Sequence, residues 1–227
     1  MIASSLGAAG PGTTEVARHL VVVGAGGHGR VVAEAATAAG WKVLAFADQT
    51  LAGGELAGVP VLPGEVDDIA RVAAREGAAI IVAIGTNATR RRLQLALQSA
   101  GVELAVVIHP TAVVLGGAQV GDGTVVLARA MIGVDCRVGR GAIVNSGVIL
   151  EHDGHLGDFS HLSPGVVTGG EVRVGEGAHL GVGVSVRNRA RIGEWSVVGV
   201  GAAVVTDLPD RIVAYGVPAR VMRSIEG

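Results

Sequence analysis

The sequence predicts an α/β domain followed by a β-solenoid: a small Rossmann-like parallel sheet, then a parallel β-helix of hexapeptide repeats. Three observations predict it. An aliphatic residue returns at every sixth position between 108 and 204, strand–helix alternation fills the stretch before it, and a Gly-rich turn at 24–29 follows the first apolar run.

The repeat is the strongest of the three. Ile108, Val114, Val120, Val126, Ile132, Val138, Val144, Leu150, Leu156 and Leu162 are followed by Val174, Leu180, Val186, Ile192, Val198 and Val204, with only Thr168 breaking the series. A period of six matches neither a helix nor a simple alternating strand. It fits a triangular solenoid with one hexad per face and about eighteen residues per coil. The aliphatic points into the prism. Gly, often the next residue, is expected to permit the backbone conformations near the corner, and the small residue four places on (Ala118, Thr124, Ala142, Ser160, Ala178, Ala202) fits where space is tight.

Composition agrees. Of 227 residues 49% are hydrophobic but only 2% aromatic, the mixture a Val/Ile/Leu/Ala core needs, and the 37 glycines follow the period instead of marking low complexity. A net charge of -2 without a basic block argues against nucleic acid as a partner. One Cys cannot make an intrachain disulfide and suits a reducing cytoplasm. No apolar run is long enough to span a bilayer, so no membrane role is expected. Residues 1–19 lack a basic flank before a long apolar stretch and read as a loose leader.

The chain then divides into an α/β domain over 20–105, a β-helix over 106–212 and a tail over 213–227 containing GVPAR. Strands are expected at 21–24, 43–47, 79–84 and 103–107, helices from near Arg30, at 66–75 and at 88–100, with a loop at 58–64. Ligands of such sheets collect at the carboxyl ends of the strands, here residues 24–28, Asp48, and Gly85 with Thr86 and Asn87.

Residues 24–29 match G-x-G-x-x-G, and Asp48 lies where a ribose-binding acid belongs. Alone this describes an NAD-dependent oxidoreductase. The sheet, however, lacks a second mononucleotide half, and no domain for hydride transfer follows. A Gly-rich turn at a helix N-terminus binds any phosphate through free N–H groups, so a nucleotide-linked ligand is favoured.

Within the repeat, His152 and Asp153 follow Leu150 by two and three places and should lie outside the prism, a His beside a carboxylate suited to act as a general base. Stacking by eighteen puts Gly170 over His152, leaving an open slot, and His179 over His161. It also aligns Asp135, Asp153 and Glu171 as an acidic ladder whose repulsion should raise at least one pKa, unless the ladder is simply a solvated stripe. His161 lies half a coil from His152 and should face another side, so the two can serve one site only from different subunits, and a three-sided prism suits a threefold axis. Cys136 occupies a small-residue position and should be inside, which argues against a covalent route. His109 and His155 read as surface or corner residues.

The segments GAGGHGRVV, AIGTNATRRRL, IHPTA, NSGVILEHDGHLGDFSHLSPG and GVPAR together resemble the bacterial sialic acid O-acetyltransferase family, which includes N-acetyltransferases of UDP-linked 4-amino sugars and of GDP-perosamine. The resemblance covers nearly everything after Leu20. It implies a left-handed β-helix, a homotrimer, a nucleotide-sugar-binding N-terminal domain and acetyl-CoA bound between subunits as co-substrate, with no metal. It implies His152 as general base supported by Asp153, with Asn145 near the reacting centre. Some relatives carry Glu at the second position, so Asp153 is expected a little farther from the imidazole. His161, Gly170, Gly181, Val182, Gly199 and Val200 then belong to the CoA site, and Gly26, Gly27, His28, Asp48 and Gln49 to the sugar-nucleotide site.

The function so implied is N-acetylation of a nucleotide-linked amino sugar by direct attack on the thioester. O-acetylation of sialic acid needs the same base and stands as the alternative. A zinc enzyme using His152, His161 and His179, or a non-catalytic sugar-nucleotide-binding protein, fits less of the chain.

Overall fold

The computed structural model describes residues 18–226. The expected leader lies outside the described residues except for Arg18 and His19, which open the first strand. The N-terminal part runs β1 (Arg18–Val23), α1 (Gly27–Ala38), β2 (Trp41–Ala47), β3 (Glu55–Leu56), β4 (Val59–Leu62), α2 (Val66–Glu76), β5 (Ala78–Val82) and α3 (Asn87–Ser99). Its sheet has the order β3-β4-β2-β1-β5, parallel except for the β3–β4 hairpin. β1 and its neighbour β5 are buried along most of their length, which is why they read as apolar runs.

Three expectations change. Helix α1 starts at Gly27, not near Arg30, so the second half of the Gly-rich stretch is already its first turn. The loop over 58–64 contains β4, which pairs with β2 at Phe46–Val61. The strand over 103–107 shrinks to one bridge, Ile80 to Leu104, because Val107 pairs instead with Val125 in the solenoid.

The solenoid consists of seventeen two-residue strands, from β6 (Val107–Ile108) through β7 (Val113–Val114) and β8 (Gln119–Val120) to β22 (Ala203–Val204). The second residue of each is the hexad aliphatic or Thr168. Strands eighteen residues apart pair in parallel, as in Ile143 with His161 and His161 with His179. Three flat faces result: face 1 begins with β6, face 2 with β7 and face 3 with β8. Inside, Val126, Ile132, Val144, Leu150, Leu156 and Leu162 are fully buried, each contributing roughly 1.5–3 kcal/mol. The first coil is the open end, where Val114 remains 37% exposed.

The glycines that follow the aliphatics serve a different purpose from the one expected. None of Gly121, Gly133, Gly157 or Gly181 has a positive φ. A Cβ on any of them would collide with the backbone of the next coil, so close approach of the coils, not turn conformation, demands glycine. The left-handed position lies two residues further on: Gly147, Gly165 and Gly183 at the corner between faces 1 and 2, but Asp135, Asp153, Glu171 and Arg189 between faces 2 and 3. Asp tolerates that region better than most side chains.

The tail expected from 213 is built onto the solenoid through residue 224. β23 (Ile212–Tyr215) extends face 1 in parallel with Val197 and Val198, and β24 (Arg220–Ser224) folds back on it in antiparallel fashion. The N-terminal domain covers the start of face 1, burying the outward side chains of Val107, Val125 and Ile143. The next two outward positions of that column are His161 and His179.

Candidate active site

His152 and Asp153 sit at the corner between faces 2 and 3, with side chains 56% and 59% exposed. His152 Nδ1 lies 2.8 Å from Asp153 Oδ2. The carboxylate can only accept, so Nδ1 carries the hydrogen and Nε2 is left as the free basic nitrogen. The expected longer gap is absent: the left-handed backbone at Asp153 turns its short side chain back onto the ring. This hydrogen bond, with the nearby carboxylates, raises the His152 pKa above the ordinary histidine value.

The slot opposite the ring is also present. A Cβ on Gly170 would overlap Nε2 and Cε1 of His152. Two polar residues inside the prism fix the main chain just before the base: the Glu151 N–H donates to Thr168 Oγ1 at 3.3 Å, and Cys136 Sγ donates to the Glu151 carbonyl at 3.0 Å. The break in the hexad at Thr168 thereby acquires a role. Cys136 is buried, and burial pushes its thiol up, away from thiolate chemistry. Two of the three members of the acidic ladder have partners: Asp153 bonds His152 and Glu171 pairs with Arg189 at 2.9 Å.

Asn145 and His161 lie elsewhere. Asn145 Nδ2 donates to His161 Nε2 at 3.3 Å, on face 1 and its corner with face 2. His161 therefore carries its hydrogen on Nδ1, which is shut off from solvent. Its ring stacks on His179 at 4.6 Å with an interplanar angle of 4° and lies 6.4 Å from the ring of His28, at the N-terminus of α1. Parallel stacked rings do not converge their nitrogens on one point, and among the described residues no group of three His, Cys, Asp or Glu is arranged to hold a metal. Burial first, then the positive charge near it from His179, Arg90 and His28, lowers the His161 pKa to about 3. His28 and His179 are lowered by burial and by Arg90. His155 is exposed on face 3, and His109 Nδ1 accepts the N–H of Thr111 in a turn.

The remaining positions expected at the CoA site divide between two corners. Gly181, Val182, Gly199 and Val200 continue the corner of Asn145, with Val182 48% and Val200 75% exposed, whereas Gly170 stacks on His152 across face 2. In the N-terminal domain a cleft of ≈ 350 Å³ at the carboxyl ends of the strands is lined by Gly24, Asp48, Gln49, Glu65, Thr89 and Arg92. Gly26 and Gly27 face open space at the start of α1. Asp48 is already engaged: Oδ2 accepts from Ala25 N at 3.0 Å, and Oδ1 from Thr50 N, Thr50 Oγ1 and Leu51 N. It braces the Gly-rich turn against the exit of β2. Gln49 donates to Glu65 across the same cleft at 3.1 Å.

Asn87, expected at the ligand-binding strand ends, is instead one of three buried polar residues on one face of α3, and sequence reasoning passed over the other two, Arg90 and Gln94. The signal was available as polar residues at helical spacing in NATRRRLQ.

A two-domain chain with an α/β sheet docked on a hexapeptide-repeat prism, bearing an exposed His–Asp pair at one corner, defines a β-helix acetyltransferase. Residues 19–97 match the PglD N-terminal domain. PerB from Caulobacter crescentus, solved in complex with CoA and GDP-perosamine, is 39% identical, with 90% of this chain and 97% of that chain covered and a TM-score of 0.85. Variants of that perosamine N-acetyltransferase with one histidine replaced by Asn or Ala are also solved in complex with CoA and GDP-perosamine. The acetyltransferase domain of PglB from Neisseria gonorrhoeae, in complex with acetyl coenzyme A, is 36% identical over 91% of this chain and 100% of that chain, TM-score 0.85. WeeI from Acinetobacter baumannii shares the fold at 23% identity, covering 90% of this chain and 100% of that chain, TM-score 0.63. A search of curated proteins finds no match. The chain belongs to the acetyltransferase family of PerB and PglB, and its solenoid is the left-handed β-helix of that family.

Proposed function

We propose that this protein transfers acetyl from acetyl-CoA to the amine of a nucleotide-linked amino sugar, with His152 as general base. The observation that carries the reading is the His152–Asp153 pair: Nδ1 is held at 2.8 Å by the carboxylate, so Nε2 faces the Gly170 slot as a free base. The sugar nitrogen attacks the thioester carbonyl while Nε2 takes its proton. The tetrahedral intermediate then expels CoA thiolate, which recovers the proton from His152. Backbone N–H groups are suited to steady the oxyanion. The similarity to PerB, solved with CoA and GDP-perosamine, supports this choice of substrates. The sugar nucleotide is assigned to the cleft of Gly24, Asp48 and Gln49, with its diphosphate toward Gly26, Gly27 and His28 at the start of α1.

The site is assigned to two subunits. His152 with Gly170, and Asn145 with Gly181, Val182, Gly199 and Val200, occupy corners on either side of face 2, with His161 on face 1 beside Asn145. A homotrimer with face 2 toward the axis brings one chain's first corner to its neighbour's second, and acetyl-CoA lies between them. The outward column of face 2 suits that position, being apolar at Val113, Met131, Ile149 and Val167, with Val113 51% exposed. The chemistry needs no metal, and the cytoplasm, where acetyl-CoA and a reduced Cys136 belong, is the assigned location. Among the described residues no helix is long and apolar enough to cross a membrane.

Thiol release from acetyl-CoA against UDP-, GDP- and dTDP-linked amino sugars and free or CMP-linked sialic acid tests the proposal. Release with one nucleotide amino sugar and none with sialic acid is expected. Release with sialic acid alone would move the function to O-acetylation and to the sialic acid O-acetyltransferases.

A further inference from the structure

Arg90 is the largest fully buried side chain, and among the described residues no carboxylate pairs with it. Its guanidinium is bound by carbonyls instead. Nη1 donates to Ile84 and Gly85 at 2.9 and 3.2 Å, at the end of β5. Nε donates to Gly141 at 2.7 Å, and Nη2 to Phe159 at 2.7 Å and to Asn87 Oδ1 at 2.9 Å. Asn87 Nδ2 in turn donates to Gly177 at 2.9 Å, and Gln94 Nε2 to Asp122 at 3.1 Å. Residues 141, 159 and 177 are eighteen apart, so they are the same corner of successive coils, all in the left-handed conformation. A helical turn rises about 5.4 Å and stacked strands repeat at about 4.8 Å, so residues on one face of a helix can meet one corner per turn. Helix α3 lies along the corner between faces 3 and 1 in this way. Burial lowers Arg90 only to about 10, so the cation persists at neutral pH.

We propose that Arg90 is a positioning residue of the transfer site: by joining the carboxyl end of β5 to two successive coil corners, it fixes the register of the nucleotide-sugar domain on the β-helix and thereby sets His28 against His161. Burial chiefly holds the histidine cluster neutral, and the Arg90 charge adds to it. The groups facing His161 are His28 from α1, Arg90 from α3, and His179 and Asn145 from neighbouring solenoid strands, with no carboxylate among them. A neutral His161 keeps Nε2 as acceptor for Asn145 and Nδ1–H as a donor. The catalytic meaning of this arrangement rests on the function proposed above.

The test compares Arg90→Gln and Arg90→Lys with the natural chain and with Arg91→Gln, which removes an exposed ion pair to Glu176 at the same seam. Histidine side-chain ¹⁵N signals are followed from about pH 8 to about pH 5 in assembled protein without substrate, and KM and kcat are then measured. In the natural chain and in Arg91→Gln, the His161 signal should stay at its neutral-ring value, and His28 and His179 should charge only below the ordinary histidine range. In Arg90→Gln at least one of the three should charge at a higher pH than in the natural chain, and KM for the nucleotide sugar should rise about tenfold while KM for acetyl-CoA holds. Arg90→Lys keeps the charge but cannot span the carbonyls, so it should keep neutral histidines and still raise that KM. A folded Arg90→Gln protein with natural titration and natural KM overturns the proposal. If that variant does not fold, an unchanged KM in Arg90→Lys overturns it. Because the titration needs no substrate, a natural chain that titrates as expected but acetylates no amino sugar overturns the assigned function and leaves the role of Arg90 standing.

Discussion

The imidazole of His152 fills the space that a side chain on Gly170 would occupy, one coil further along the same corner. Gly170 has an ordinary φ, so Gly170→Ala strains no backbone, and the group that must move is the exposed end of His152. Stability should change by no more than about 0.5 kcal/mol, whereas kcat should fall by about 10²-fold because the base is displaced. Thermal melts alongside steady-state rates measure both.

Asp153→Asn removes the carboxylate that chiefly raises the His152 pKa. A base works in its neutral form, so activity in the natural protein should rise with pH through a value above the ordinary one for histidine. In the variant that acid limb should move to lower pH while the plateau falls, because Asn no longer selects the Nδ1–H tautomer. A pH profile of kcat/KM with an unmoved limb would break the link between the two residues.

Thr168→Val leaves the Glu151 N–H without its acceptor while keeping the volume of the core. An unpaired buried N–H costs about 1–3 kcal/mol, relieved here by a shift of the peptide that precedes His152. A fall in kcat larger than the fall in folded fraction is expected. Cys136→Ser retains a donor to the Glu151 carbonyl and should acetylate at close to the natural rate. Loss of transfer in that variant would point to chemistry on the sulfur.

Face 2 supplies a prediction about assembly. Val167, 41% exposed in the single chain, should be covered around the axis. Val167→Glu should dissociate the proposed trimer and abolish transfer together, seen by sedimentation and thiol release.

The histidines at the domain seam make the fold sensitive to acid. His28, His161 and His179 are held neutral below the value they take in an unfolded chain. Below about pH 6.5 the unfolded chain therefore binds more protons. Stability should be at its plateau above that pH and decline as pH falls toward about 3 for His161, by at most about 1.4 kcal/mol per pH unit for each histidine. Melting curves of the natural chain and His161→Gln, compared from neutral to mildly acidic pH, should converge at neither end but show a shallower slope for the variant.

Much of this was legible in the chain. The hexad gave each solenoid strand, and the eighteen-residue coil placed Gly170 on His152 and His179 on His161, because a parallel β-helix without insertions leaves no freedom in register. The interior position of Cys136 followed from the same count. What was not legible depends on contacts between distant parts. Spacing could not show that glycines such as Gly133 are required by the neighbouring coil's backbone instead of a turn. Nor could it show that Asp48 spends its lone pairs on the turn at Ala25 and the loop at Thr50. The docking of α3, with Arg90 buried against the coil corners, joins residues as far apart as Asn87 and Gly177, and no local pattern records such a pairing.

The account turns on His152 as the base, and His152→Ala, assayed by thiol release with acetyl-CoA and the accepted amino sugar, tests it most directly. The variant should assemble and bind CoA like the natural protein, since the side chain is exposed and its one hydrogen bond among the described residues is to Asp153, while kcat falls by about 10²–10⁴-fold. Turnover at the natural rate in a correctly assembled His152→Ala protein would contradict the account.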